Sequence, residues 1–279
     1  MKKFLWKFKS SVRAYRKIFQ KFSVPEYLII GSQKGGTTSL YAYLTQHPGI
    51  IPAEKKEVHY FGHPENQFRG RTWYLRHFPS NSFRKSLEKK LGYSPIAGEA
   101  TPNMNQPFMP KLVHELLPNA KLIAMFRNPI DRAFSQYHHN RRFPGKEPLT
   151  FEEAIAQSAV KLPDELMNDI ERYSKSHHRS YITRGLYFEQ LERWYQYYPK
   201  DRIHIISSEE FFADPATELK KVLEFLELPD FEFDCSVSKN IGSYETKMSK
   251  EVRDHLEEIF RPHNHRLYEL VGRNFGWPS

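Results

Sequence analysis

The chain has 279 residues, with 42 Lys and Arg against 33 Asp and Glu, a formal charge of +9 and one cysteine, Cys235. That length suits one large α/β domain or two small ones, and a single cysteine excludes an intrachain disulfide and any zinc site built on cysteines. The positive balance favours polyanionic partners; with one cysteine, no apolar run near ~20 residues and no apolar leader, the expectation is a soluble, cytoplasmic protein.

Residues 1–22 carry Phe4, Phe8, Val12, Tyr15, Phe19 and Phe22 at helical spacing among Lys and Arg, with no acidic residue. Two readings fit: an amphipathic helix in peripheral contact with the inner face of an anionic membrane, or a helix packed on the domain with a solvated basic back. No repeat, low-complexity tract or Gly/Ser linker follows, so residues 1–24 are read as a basic N-terminal helix and 25–279 as one domain.

Strand-type runs at 27–30, 96–98, 122–126 and 203–206 alternate with helical patterns at roughly 38–47, 107–117, 131–142, 151–159, 187–198 and 215–227. Two further helices are expected around 249–260 and 262–272. Alternation of this kind predicts an α/β fold, a central parallel sheet flanked by helices, with the ligand site at the carboxyl ends of the strands. Segments 62–95 and 141–180 read as basic, aromatic and irregular, the walls of a cleft, carrying Arg69, Arg71, Arg76, Arg141 and Arg142 and the aromatic face of Trp73.

The first strand runs into YLIIGSQKGGTTSL, residues 27–40. Gly31 and Gly36 keep the interval of the G-x-x-x-x-G-K-[ST] phosphate loop, but Thr37 stands where the lysine belongs and Lys34 has moved into the loop. A glycine turn feeding a helix start gathers backbone N–H groups on one point. The hydroxyls of Thr37, Thr38 and Ser39 and the Lys34 ammonium add donors, so an anion belongs there. The strand that would supply a magnesium-binding aspartate in a nucleoside triphosphatase ends instead in Arg127-Asn128-Pro129. That cation attracts a second phosphate, and Ser135 follows two turns along the next helix.

The segments GSQKGGTTSL, EKKEVHYFG, GEATPNM, LIAMFRNPIDRAFSQYHHN, RGLYFEQLERWYQYYP and RPHNHRLYELVGRNFGW resemble the sulfotransferases, most closely the heparan sulfate type of carbohydrate sulfotransferase and its bacterial relatives. The resemblance runs from about residue 25 to the end. It implies the P-loop nucleoside triphosphate hydrolase-like sulfotransferase fold and 3′-phosphoadenosine 5′-phosphosulfate (PAPS) as sulfuryl donor, with no metal required. It also implies a saccharide or glycolipid acceptor rather than nucleic acid. The alternatives within the family are a hydroxyacyl chain, a phenol or a peptide tyrosine, and the rival outside it is a magnesium-dependent nucleotide kinase or ATPase. Carried over by position, it implies that Lys34, Gly35, Gly36, Thr37, Thr38 and Ser39 hold the 5′-phosphosulfate, that Arg127 and Ser135 hold the 3′-phosphate, and that Tyr187, in Arg184-Gly185-Leu186-Tyr187, approaches the nucleotide. Lys34 also serves the reaction itself. Glu57 is implied as the catalytic base, with His59 beside it and able to take that part; on pattern alone Glu57 is one glutamate of a charged loop.

Two departures from the family pattern stand out. Ala100 replaces a lysine of the heparan sulfate enzymes, and the 3′-phosphate loop is shortened near Lys239 to Ser243, with Lys247 as a substitute. The paired histidines His138/His139 and His177/His178 have no carboxylate or cysteine at a ligand interval and read as solvated or acceptor-lining, not as metal ligands.

Overall fold

The computed structural model describes residues 21–159, 161, 171, 173, 180–236 and 247–279. The expected N-terminal helix, apart from its last four positions, the residues 239–243 and the pair His177/His178 fall outside these; residues 21–24 are not helical, Phe22 forming an isolated bridge with Ser80 instead.

Five strands, β1 (Tyr27–Gly31), β2 (Ile50–Pro52), β3 (Ile96–Glu99), β4 (Lys121–Phe126) and β5 (Ile203–Ser207), form one sheet in the order β2-β3-β1-β4-β5. Every pairing is parallel. The helices in chain order are α1 (Thr37–Leu44), α2 (Pro64–Gln67), α3 (Gly70–Leu75), α4 (Asn81–Leu91), α5 (Met109–Leu116), α6 (Pro129–Arg141), α7 (Phe151–Ala156), α8 (Tyr187–Tyr195), α9 (Ser208–Ala213), α10 (Pro215–Leu226) and α11 (Lys250–Val271).

The strands lack a polar face because both faces are covered. Leu28, Ile30, Leu122, Ala124 and Phe126 pack into one core with Val113, Leu191, Trp194 and Leu267. Their sequence neighbours Tyr27, Ile29, Ile123 and Met125 pack into a second with Leu40, Leu44, Leu219 and Val222. The two-residue side-chain period of a strand divides them, and each fully buried aliphatic side chain contributes about 1.5–3 kcal/mol. The α/β class read from the alternation is the observed one.

Four details depart from the sequence reading. The three residues of β2 are too few to show periodicity. The segment 62–95 is helical rather than irregular, holding α2, α3 and α4. The last of these starts where Ser80 accepts from Phe83 N and ends at Gly92 with φ of 79°, start and stop signals that lay in the sequence. Helix α9 was not expected between the β5 and α10 patterns. The two C-terminal helices are one, continuous through Pro262; a proline there removes one hydrogen bond and costs about 3 kcal/mol in an ordinary helix interior, but Leu256, Phe260, Asn264 and Leu267 are buried along a single face on both sides of it, and that packing holds the helix together.

Candidate active site

The carboxyl ends of β1, β3 and β4 face one region, and each delivers part of a site. The turn after β1 is held from below: Ser32 N and Ser32 Oγ both donate to the Met125 carbonyl of β4, at 2.7 and 2.9 Å, and Ser208 Oγ donates to the Gly35 carbonyl. Two positions demand glycine. A Cβ on Gly35 would stand 2.5 Å from Met125 O, and Gly36 has φ of 103° as the N-cap of α1. Lys34 adopts φ of 70°, a left-handed conformation that a residue with a Cβ holds only where its surroundings enforce it. Helix α1 starts without a side-chain cap and without an acidic residue in its first turn, so its first N–H groups remain available to an anion.

Around this loop the structure gathers cations. Burial pushes the Lys34 ammonium down from the ordinary lysine value, and Arg142, Arg127 and Lys56 add to the shift by repulsion. Arg127 Nη1 lies 3.5 Å from the Lys34 carbonyl oxygen. His139 joins from the C-terminal end of α6: burial and the charges of Lys34, Lys146 and Arg142 lower its pKa, opposed by Glu57. An ammonium and a guanidinium held together at such cost in repulsion suit a bound polyanion. Helix α6 enters through Asn128, whose side chain accepts from Ile130 N at 3.0 Å, with Pro129 in its first turn. Ser135 lies on the buried face of that helix.

The loop after β2 carries the acid and base groups. Glu57 Oε1 pairs with Lys56 Nζ at 2.6 Å, and Glu57 Oε2 with His59 Nε2 at 3.2 Å. Burial raises the Glu57 pKa, but the hydrogen bonds from His59 and Lys56 and the Lys56 charge outweigh it and bring it to about 2. Lys56 Nζ also donates to Thr38 Oγ1 in α1 at 2.7 Å, which brings the loop of Glu57 against the phosphate loop. His59, at φ of 56°, buries Nδ1 without a hydrogen-bond partner among the described residues.

A buried carboxylate supports this loop. Glu99, at the end of β3 and 1% exposed, accepts from Val58 N at 2.8 Å, Thr101 Oγ1 at 2.6 Å and Tyr74 Oη at 3.0 Å. Burial raises its pKa, and these hydrogen bonds oppose the rise.

Of the residues expected from the sequence, Lys34, Gly35, Gly36, Thr37, Thr38, Ser39, Glu57, His59 and Arg127 meet here. Tyr187 is placed underneath: its ring stacks on Phe126 at 4.4 Å, its hydroxyl donates to the Arg127 carbonyl at 2.9 Å and lies 3.4 Å from Ser32 Oγ, and 1% of it is exposed. Arg184, just before it, reaches Gln33 Oε1 in the phosphate loop. Trp73 carries the Arg69 guanidinium 5.0 Å over its ring and stacks beside Tyr60 on α3. Ala100 is fully buried among Tyr27, Leu40 and Tyr41. Sequence reasoning read Lys56 only as a charge beside Glu57 and His139 only as solvated or acceptor-lining; the four-residue step from Ser135 to His139, one helix face, was the available signal. Among the described residues no three of His, Cys, Asp and Glu cluster as a metal site, and no helix is long and apolar enough to cross a membrane.

Known proteins resemble this chain in sequence and fold. A Sulfotransferase domain family matches residues 25–261. The chain is 26% identical to the membrane-associated sulfotransferase kil1 of Dictyostelium discoideum, over 92% of this chain and 67% of that protein. It is 28% identical to the bifunctional heparan sulfate N-deacetylase/N-sulfotransferase 1 of Caenorhabditis elegans over 91% of this chain, but spans only 30% of that larger protein's length. The heparan sulfate glucosamine 3-O-sulfotransferase 5 of Mus musculus is 26% identical over 91% of this chain and 74% of its own length. In structure, a sulfotransferase from Alicyclobacillus acidocaldarius superposes with a TM-score of 0.68 at 28% identity, covering 91% of this chain and 98% of that one. With the family match spanning everything from just before β1 into α11, the chain belongs to the sulfotransferase domain family.

Proposed function

We propose that this sulfotransferase moves a sulfuryl group from PAPS to a hydroxyl or amine of a saccharide or glycolipid, with Glu57 as general base. The observation that carries it is the Lys56 bridge between Thr38 and Glu57: it stands a carboxylate one ammonium away from an anion cradle. The residues fit the donor, since a loop closed against any Cβ at Gly35 and a repelling set of Lys34, Arg127 and Arg142 suit a phosphosulfate, with Arg127 and Ser135 for a second phosphate.

PAPS supplies a sulfuryl group on a phosphate leaving oxygen. Lys34 and the first N–H groups of α1 are aimed at the charge that grows on that oxygen, which stabilises the transition state. Glu57 accepts the acceptor's proton, a contribution typically worth 10²–10⁴-fold. His59, bonded to Glu57 Oε2, orients it. The saccharide class rests on the heparan sulfate relatives named above. The proposal stops short of heparan itself because Ala100 is sealed in the core where those enzymes present a lysine.

Radiolabelled PAPS, offered in EDTA with separate pools of glycans, lipids, phenols, hydroxyacyl compounds and peptides, tests the reading. Wild type labels the glycan or glycolipid pool, and Glu57→Gln loses about 10²–10⁴-fold while binding adenosine 3′,5′-bisphosphate as before. Label in the phenol, hydroxyacyl or peptide pool instead keeps the reaction and overturns the acceptor class; undiminished turnover in Glu57→Gln overturns the base.

A further inference from the structure

The phosphate loop and the Glu57 carboxylate share one side chain. Lys56 donates from Nζ to Thr38 Oγ1 at 2.7 Å and pairs with Glu57 Oε1 at 2.6 Å. Its backbone is anchored on both sides to the end of β3: Ala100 N donates to the Lys56 carbonyl at 2.8 Å, and Val58 N donates to buried Glu99 at 2.8 Å. A lysine that served only to neutralise a partly exposed carboxylate would contribute little and would have no need of the loop hydroxyl. Here the ammonium lies on the line from the donor cradle to the base, the path a transferred group crosses.

We propose that Lys56 is a catalytic cation of the transfer, holding the Glu57 carboxylate before reaction and the oxygens of the moving sulfuryl group during it. The inference rests on the reading of Glu57 as base. In the step, a lone pair of the acceptor oxygen or nitrogen forms the new bond to sulfur. The bond from sulfur to the 5′-phosphate oxygen breaks, and its electron pair stays on that oxygen. The acceptor's proton passes to Glu57, which becomes neutral. Lys56 keeps its own proton; having lost its countercharge, its three N–H donors turn to the sulfuryl oxygens. Lys34 stays with the leaving phosphate. Lys56 also offsets the repulsion between an ionised Glu57 and an anionic donor, which would otherwise keep the two apart.

The test compares Lys56→Met, Lys56→Gln and Lys56→Arg with wild type and Glu57→Gln. Three quantities are read: affinity for adenosine 3′,5′-bisphosphate, the pH midpoint of Glu57 by carboxyl-carbon NMR in the free protein, and turnover with the pool that takes label, or with water by sulfate release. The groups facing Glu57 are Lys56 and His59 on its own loop and His139 from α6; in Lys56→Met the last two remain, so the midpoint moves up by about 1–3 pH units without returning fully to the ordinary value. Turnover falls about 10²–10³-fold, nucleotide affinity changes little, Lys56→Gln behaves like Lys56→Met, and Lys56→Arg recovers part of both. Turnover within twofold of wild type in the folded Met and Gln variants overturns the proposal, even if the midpoint moves, because Lys56 is then only a charge partner. Glu57→Gln separates the two readings: full activity in that variant sinks the base, whereas an inactive Glu57→Gln beside an active Lys56→Met sinks Lys56 alone.

Discussion

Arg127 is the proposed holder of the 3′-phosphate. A nucleoside triphosphatase places a carboxylate near the end of this strand for its metal; here a guanidinium stands there, packed against the phosphate loop through the Lys34 carbonyl, a charge that disfavours a metal and suits a phosphate. Arg127→Ala is expected to weaken adenosine 3′,5′-bisphosphate by about 10–100-fold, the worth of one charge-assisted hydrogen bond, and to leave adenosine 5′-phosphate nearly unaffected, measured by calorimetry. An equal loss for both nucleotides would move Arg127 from the 3′-phosphate to the loop. Glu57 is the opposite kind of residue, an anion kept among cations. Its folded pKa of about 2 lies below the unfolded value, so its ionisation favours the fold at neutral pH, and that contribution is lost only as pH falls from the ordinary carboxylate range through about 2. The carboxylate is therefore held ionised at neutral pH, and the proposed role as base requires the Lys56 and His59 contacts to yield when Glu57 takes the acceptor's proton.

At the scale of elements, the turn from β1 into α1 is the most constrained piece of the molecule. Gly35→Ala puts a Cβ against the Met125 carbonyl, a backbone atom of a central strand that cannot give way, so the turn must shift. The expected outcome is a protein with its sheet intact by circular dichroism and with nucleotide affinity lowered at least tenfold, in line with a misplaced set of donors; unchanged affinity would mean that the turn does not hold the nucleotide. This element was legible in the sequence because an apolar strand, two glycines at a fixed interval and a run of hydroxyls leave few other structures. Arg127 was legible as a cation just past an apolar strand, whereas the part proposed for Ser135 comes from the resemblance, its place here being the buried face of α6. The supports were not. Glu99 is one carboxylate in Gly98-Glu99-Ala100, and its meaning comes from Val58, Tyr74 and Thr101, two of them far away in sequence. Lys56 and Lys55 are interchangeable in a sequence, and only the folded loop turns one of them onto Thr38. Tyr187 was read as approaching the nucleotide, while its buried ring and hydroxyl tie β4 to the phosphate loop from below, a distinction that motif spacing does not carry.

On the scale of the whole molecule, the parallel sheet collects its chemistry at one edge and leaves the N-terminal segment to enter elsewhere. The chain joins the domain beside α4, where Asn81 N donates to the Lys21 carbonyl at 2.9 Å, Ser23 N donates to the Pro79 carbonyl at 2.8 Å and Phe22 pairs with Ser80. Lys85, Lys89 and Lys90 are exposed on that helix, so the chain enters the domain at Lys21 beside a basic face. We propose that this end makes a peripheral contact with anionic membrane from the cytoplasmic side, each basic residue near such a surface contributing about 1 kcal/mol, less as salt screens it. Removing residues 1–20 leaves the Lys21, Phe22 and Ser23 contacts in place and isolates the question. The full chain should sediment with phosphatidylserine vesicles, not with neutral ones, and release as salt rises; the truncated chain should stay in the supernatant with its melting temperature and nucleotide affinity unchanged. A truncated chain that melts several degrees lower, while the full chain ignores vesicles, would show the segment to be a helix packed on the domain. If truncation leaves vesicle binding intact, the attraction belongs to the face of α4 and not to the segment before it.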